Sequence, residues 1–120
     1  MIEHQWEPRG LVRRHFGAVS WREIAQSDAS IQADPRFGEV TYVIEDFRRC
    51  ASLNGIDEQA AKGLGSVSSA CTGLPRLFRH AVVLTVPLFH KTLDLLNGLG
   101  YQHLEAFQFM ADARDWAIPG

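Results

Sequence analysis

Residues 40–47 read Val40-Thr41-Tyr42-Val43-Ile44-Glu45-Asp46-Phe47, and this stretch decides the fold. β-Branched and aromatic side chains suit a pleated surface, and the run is apolar at both alternating positions until Glu45. Strands covered on both faces belong to parallel sheets, so the segment predicts a central, buried strand. Just before it, Asp34-Pro35 ends a helix, because a residue preceding proline is pushed out of the α region. That helix starts at Val19-Ser20-Trp21-Arg22-Glu23-Ile24, where Ser20 and Glu23 form a capping box inside a staple of Val19 and Ile24. Trp21, Ile24, Asp28 and Ile31 then recur at helical spacing.

Working outward toward the N-terminus, residues 2–7 and 10–17 flank Glu7-Pro8-Arg9-Gly10. Proline presets a turn dihedral and glycine tolerates a positive one, so the pair predicts a β-hairpin. In its second arm Val12, Arg14 and Phe16 share one face and Leu11, Arg13 and His15 the other. This mixed pattern predicts a strand near a sheet edge.

Toward the C-terminus, Asp57 can cap a second helix with Ala60, Leu64, Val67 and Cys71 on one side and Gly73 to close it. Ala81 to Val86 is a nearly continuous apolar strand, and Pro87 suits the first turn of a third helix. That helix carries Leu88, Phe89, Leu93, Leu95, Leu96 and Leu99, and Asn97-Gly98-Leu99-Gly100 stops it. Leu104 to Met110 predicts a last strand, and Ala111 to Ile118 a short helix holding Trp116. The order is a hairpin followed by alternating helices and strands, with right-handed crossovers between parallel strands. The expected architecture is an α/β domain spanning 1–120, a mixed and mostly parallel sheet of about five strands flanked by about four helices.

Bulk properties exclude several classes. At 120 residues the chain supports one hydrophobic core. With 46% hydrophobic and 22% charged residues it is not expected to be disordered. A net charge of −2 supplies no field to hold a nucleic-acid backbone, and the pairs Arg13-Arg14 and Arg48-Arg49 read as solvated strand and loop positions. Cys50 and Cys71 match no zinc or redox spacing. The opening residues lack the basic start and apolar run of a signal peptide, and no stretch is long and apolar enough to span a membrane, so a cytoplasmic location with reduced thiols is expected.

Asp34-Pro35-Arg36-Phe37, followed by Tyr42-Val43-Ile44-Glu45-Asp46-Phe47, resembles the bacterial SpoIIAA-like family, also described as STAS-like. The likeness extends to the opening hairpin, to Arg79-His80-Ala81-Val82-Val83 and to Phe109, Ala113 and Trp116, nearly the whole chain. It implies an open sheet flanked by helices, a fold shared by anti-sigma-factor antagonists, regulatory domains of sulfate transporters and lipid-binding CRAL-TRIO domains. In such antagonists a phosphorylatable serine opens the helix after the central strand. Here that region reads Cys50-Ala51-Ser52-Leu53-Asn54-Gly55-Ile56-Asp57, without a Ser-Ser-Gly and with Asp57 at the cap. The kinase switch is therefore not carried over, and Ser52 is the one nearby phosphosite candidate.

In open α/β sheets ligands gather at the carboxyl ends of the strands, which places Asp46, Thr85 and Asp112 as a candidate rim for an enzyme. A receiver-type phosphoacceptor is excluded because the only lysines, Lys62 and Lys91, fall within helices. The five histidines, at 4, 15, 80, 90 and 103, lie on separate elements, so a metal site would have to be assembled across the fold. Gly63-Leu64-Gly65 and Gly98-Leu99-Gly100 lack a third glycine and follow no strand, so no nucleotide fingerprint, and no cofactor, is expected. The small residues Gly63, Gly65, Ser66 and Ser69, facing Leu88 and Phe89 of the next helix, are the candidate surface for a partner or an acyl chain.

The function expected from these features is a non-enzymatic interaction module that binds a protein partner or itself through its helical surface. The alternative is a carrier for a small apolar or lipid ligand, and a third reading is an enzyme using the Asp46 rim.

Overall fold

The computed structural model describes residues 1–54, 79–85, 94 and 104–118, with residues 21 and 51–54 known by their backbone alone. Five strands form one sheet in the order β1 (Ile2–Glu7), β2 (Gly10–Ser20), β3 (Tyr42–Asn54), β4 (Arg79–Val83) and β5 (Leu104–Phe107). β1 runs antiparallel to β2, and every other neighbouring pair is parallel. This is the mixed, mostly parallel sheet that the hairpin and the alternating pattern imply. Among the described residues, two α-helices with defined bounds accompany it, α1 (Trp21–Ala33) and α2 (Met110–Ala117). The helices expected after Asp57 and after Pro87 lie outside the described residues, except that Asp94 is helical and exposed.

The capping signals work as chemistry requires. Ser20 accepts the Glu23 backbone N–H at 3.3 Å, and Val19 and Ile24 share one apolar cluster. At the other end Asp34 has an extended backbone and its side chain accepts the Arg36 N–H at 2.9 Å. That contact starts a 3-10 helix over Pro35–Glu39, an element the sequence pattern did not announce.

β2 and β3 run further than their apolar patterns. β2 continues to Ser20 past two irregularities in its pairing with β3, the second next to Gly17, whose φ of 66° suits a residue without a Cβ. β3 continues through Arg48 and Arg49 to Asn54, so these arginines stand on a strand and not in a loop. The extra pairing, Phe16 with Arg49 through Ser20 with Asn54, supplies backbone hydrogen bonds that no side-chain pattern announces.

The two faces of the sheet carry different layers. Val12, Tyr42, Ile44, Ala81 and Val83 pack against Ala113 and Ala117 of α2. That helix is tied down by Arg114, which reaches Glu7 at 3.1 Å and 3.3 Å, and by Arg79, which donates to the Trp116 carbonyl. On the opposite face lies α1, with Leu11, Val40 and Val43 around Ile31 at one end and Phe47, Val82 and Leu84 near Ile24 at the other.

At the hairpin turn, a Cβ on Gly10 would collide with the Tyr42 ring. Gly10→Ala is expected to destabilise the protein by about 1–3 kcal/mol through overpacking, and Ser20→Ala by about 1 kcal/mol through loss of the cap. Urea unfolding followed by circular dichroism measures both.

Candidate functional site

Between the two apolar clusters of the α1 face lies a polar layer. Strand alternation puts Leu11, Arg13 and His15 of β2 on this face with Val43, Glu45 and Phe47 of β3. β1 adds His4, which pairs in register with Arg13, and Arg13 in turn pairs with Glu45. Three strands therefore present a row His4, Arg13, Glu45. β4 adds His80 beside the row, and α1 crosses it with Ser27 and Asp28.

Arg13, Glu45, His15 and His80 have no solvent exposure. Arg13 Nε donates to both Glu45 oxygens, at 2.8 Å and 2.6 Å, and Nη2 lies 2.6 Å from Oε1. His15 Nε2 stands 2.8 Å from Oε2 and His80 Nε2 3.1 Å from Oε1. Next to an ionised carboxylate both ring nitrogens are donors, so Glu45 accepts from three residues. His15 is also stacked on Phe47, with ring centroids 3.9 Å apart. From the other side of the guanidinium, Arg13 Nη1 donates to Asp28 Oδ1 at 2.5 Å and to Ser27 Oγ at 3.1 Å. Ser27 Oγ is in turn 2.7 Å from His4 Nε2.

One cation thus faces two carboxylates, and the pair divides unequally. Burial disfavours the charge on Glu45, but Arg13 and the two imidazole N–H groups outweigh it and hold the carboxyl well below its ordinary range. Asp28 receives only Nη1 of the same guanidinium, and burial, with the nearby Glu45 charge, pushes it up to about 6. Burial likewise lowers His15, against the opposing pull of Glu45. The resulting assembly is a neutral-pH Arg–Glu ion pair with a weakly acidic neighbour.

This arrangement overturns the reading of Arg13 as a solvated position. α1 covers its face of β2, and Glu45 and Asp28 neutralise the guanidinium that burial would otherwise expel. Arg48 and Arg49 are exposed. The histidines at 4, 15 and 80 do converge from separate strands, although no group of three His, Cys, Asp or Glu among the described residues is arranged to hold a metal.

The strand-end rim has a different geometry. Asp46 lies inside β3, which continues to Asn54, and it is 4% exposed. Its carboxylate accepts the Arg48 backbone N–H at 3.0 Å and the Arg48 side chain at 3.0 Å and 2.9 Å. Those bonds hold its pKa below the ordinary value despite burial, the opposite of what a general base at neutral pH needs. Thr85 is exposed just past β4, and Asp112 is exposed in the first turn of α2. Ser52 sits on β3, paired with Ala18, and not in a loop. Gly63, Gly65, Ser66, Ser69, Leu88 and Phe89 lie outside the described residues.

With the geometry in hand, comparison with known proteins is informative at the level of fold. No family model and no curated protein sequence matches the chain. Solved structures do match, end to end. SpoIIAA, an anti-sigma factor antagonist, in its unphosphorylated form superposes with a TM-score of 0.63 at 17% identity, covering 97% of this chain and 96% of that one. The chain has the SpoIIAA-like fold. The phosphorylated form of SpoIIAA, a Bacillus cell fate determinant, gives a TM-score of 0.61 at 19% identity over 97% of this chain and 98% of that one. An uncharacterised DUF3478-family protein from Shewanella loihica PV-4 gives 0.57 at 16% identity over 98% and 92%. The fold implied by Asp34-Pro35-Arg36-Phe37 and the strand after it is the fold observed.

Two measurements probe the buried layer. Glu45→Gln leaves Arg13 without its main counter-charge and is expected to cost about 3–5 kcal/mol in urea unfolding. Asp28 offers a pH test. Its pKa is about 6 in the folded state against an ordinary value of 3.8, so between those values the folded state holds more protons and Asp28 costs stability as pH rises. The full cost is about 3 kcal/mol. The stability of the wild type minus that of Asp28→Asn should therefore fall by that amount between about pH 4 and about pH 7; a flat difference contradicts the assignment.

Proposed function

We propose that this chain is a non-enzymatic interaction module that binds a protein partner or a second copy of itself. The observation that carries this reading is the end-to-end likeness to SpoIIAA, whose described role is that of an anti-sigma factor antagonist, a role exerted on another protein. The electrostatics support it. Glu45 is closed off from solvent with Arg13, and Asp46 is clamped by Arg48, so neither strand carboxylate is poised to take a proton from a substrate.

Regulation by phosphorylation is not part of the proposal. Ser52 stands on a strand, and the sequence around it lacks the Ser-Ser-Gly of the antagonists it resembles.

Native mass spectrometry on freshly purified protein tests the reading. The expected result is either a dimer that dissociates on dilution or a stoichiometric complex with one co-purified protein that re-forms from the separated components. A monomer at all concentrations carrying a stoichiometric apolar adduct of a few hundred daltons overturns it in favour of a ligand carrier.

A further inference from the structure

A groove of about 300 Å³ opens between β1 and α1, lined by Ile2 and His4 on the strand and by Glu23, Gln26, Ser27 and Ser30 on the helix. At this groove the buried layer meets the surface. Ser27 is 7% exposed, and its hydroxyl is held from two sides. Arg13 Nη1 can only donate, so at 3.1 Å it occupies a lone pair of Oγ. His4 Nε2 lies 2.7 Å from the same oxygen. Burial, followed by the Arg13 charge, lowers the His4 pKa, so the imidazole is neutral at neutral pH, and in its Nδ1–H tautomer Nε2 accepts the hydroxyl proton. A hydroxyl that donates to a neutral imidazole has the adjacent base that activates a serine nucleophile.

We propose that Ser27 is an acyl-acceptor site, with His4 as its base and a small activated ester or thioester in the β1–α1 groove as the donor. Ser27 Oγ attacks the acyl carbonyl carbon, and its proton passes to His4 Nε2. The new Oγ–C bond forms, the bond from the carbonyl carbon to the donor's oxygen or sulfur breaks, and that atom leaves with the electron pair. The leaving group takes the proton from His4, which returns to neutral, and Ser27 is left as an ester.

Electrostatics favour acyl over phosphoryl transfer. The Arg13 charge is already matched by Glu45 and Asp28, and Asp28 is the next residue in the chain. A phosphate dianion on Ser27 would meet both carboxylates, whereas an acyl ester adds no charge. Ser30 lines the same groove, but neither His4 nor Arg13 hydrogen-bonds it among the described residues.

The test is acetylation of the intact protein by p-nitrophenyl acetate, followed over time by peptide mass spectrometry, with hydroxylamine to separate serine esters from lysine amides. Ser27 should acetylate about 100-fold faster than Ser30, the size of a general-base effect. Its rate should fall as pH drops through the titration of His4, which is faced by Arg13 and Glu45 from β2 and β3, by Asp34 at the end of α1, and by Glu23 and the N-terminal ammonium of Met1 in the groove. His4→Gln keeps a hydrogen-bonding group without a base and should bring the Ser27 rate down to that of Ser30, with circular dichroism confirming the fold. Equal rates at Ser27 and Ser30 in the wild type, or a Ser27 rate unaltered in a folded His4→Gln variant, overturn the proposal. The wild-type comparison needs no variant to fold.

Discussion

The structure is organised around the ion pair of Arg13 and Glu45, directly opposed on adjacent parallel strands and without solvent exposure. Neither charge could be buried alone, since each would carry a desolvation cost of several kcal/mol. Together they offset each other's charge, and two histidines complete the carboxylate's hydrogen bonds. The pair also penalises alternative registers. A slip of one residue between β2 and β3 would carry one partner to the opposite face of the sheet, leaving the other buried and uncompensated.

From this pair the remaining elements take their places. β1 joins through His4, α1 through Ser27 and Asp28, and β4 through His80. The apolar clusters on either side of the polar layer match it element by element: Ile31, Asp28 and Ile24 descend α1 as Val43, Glu45 and Phe47 ascend β3. Apolar burial supplies the driving force, and it is non-directional. The polar layer adds direction, because hydrogen bonds to a carboxylate tolerate few geometries.

The same layer separates what the two sides of the molecule can do. On the α2 face, Glu7 joins Tyr42 and Arg114, and burial together with the Glu7 carboxylate pushes the Tyr42 pKa up to about 12. These contacts close the surface over the sheet. On the α1 face the polar layer reaches the groove at Ser27 and His4. Among the described residues, this hydroxyl and imidazole meet at the side of the sheet next to the hairpin, away from the carboxyl ends of the strands, where open α/β sheets usually place ligands.

Much of the fold was legible in residues 1–47 because local signals there agree. The Pro8-Arg9-Gly10 turn, the Ser20 and Glu23 cap, the Asp34-Pro35 stop and the start of the apolar run to Phe47 each act within a few residues, and each is an element boundary in the structure to within a few positions. The extensions of β2 and β3 were not legible, since they rest on backbone pairing between segments about 30 residues apart. The polar layer was half legible. Alternation alone placed Leu11, Arg13 and His15 on one face, and Glu45 interrupted an apolar strand. Whether such residues meet water or one another depends on which strand lies beside them and which helix lies above. Sequence determined which residues share a face, because that follows from the two-residue period of a strand; only the tertiary structure decided that Arg13 meets Glu45 and Ser27 meets His4, because register and helix placement are set by the packing of the whole sheet.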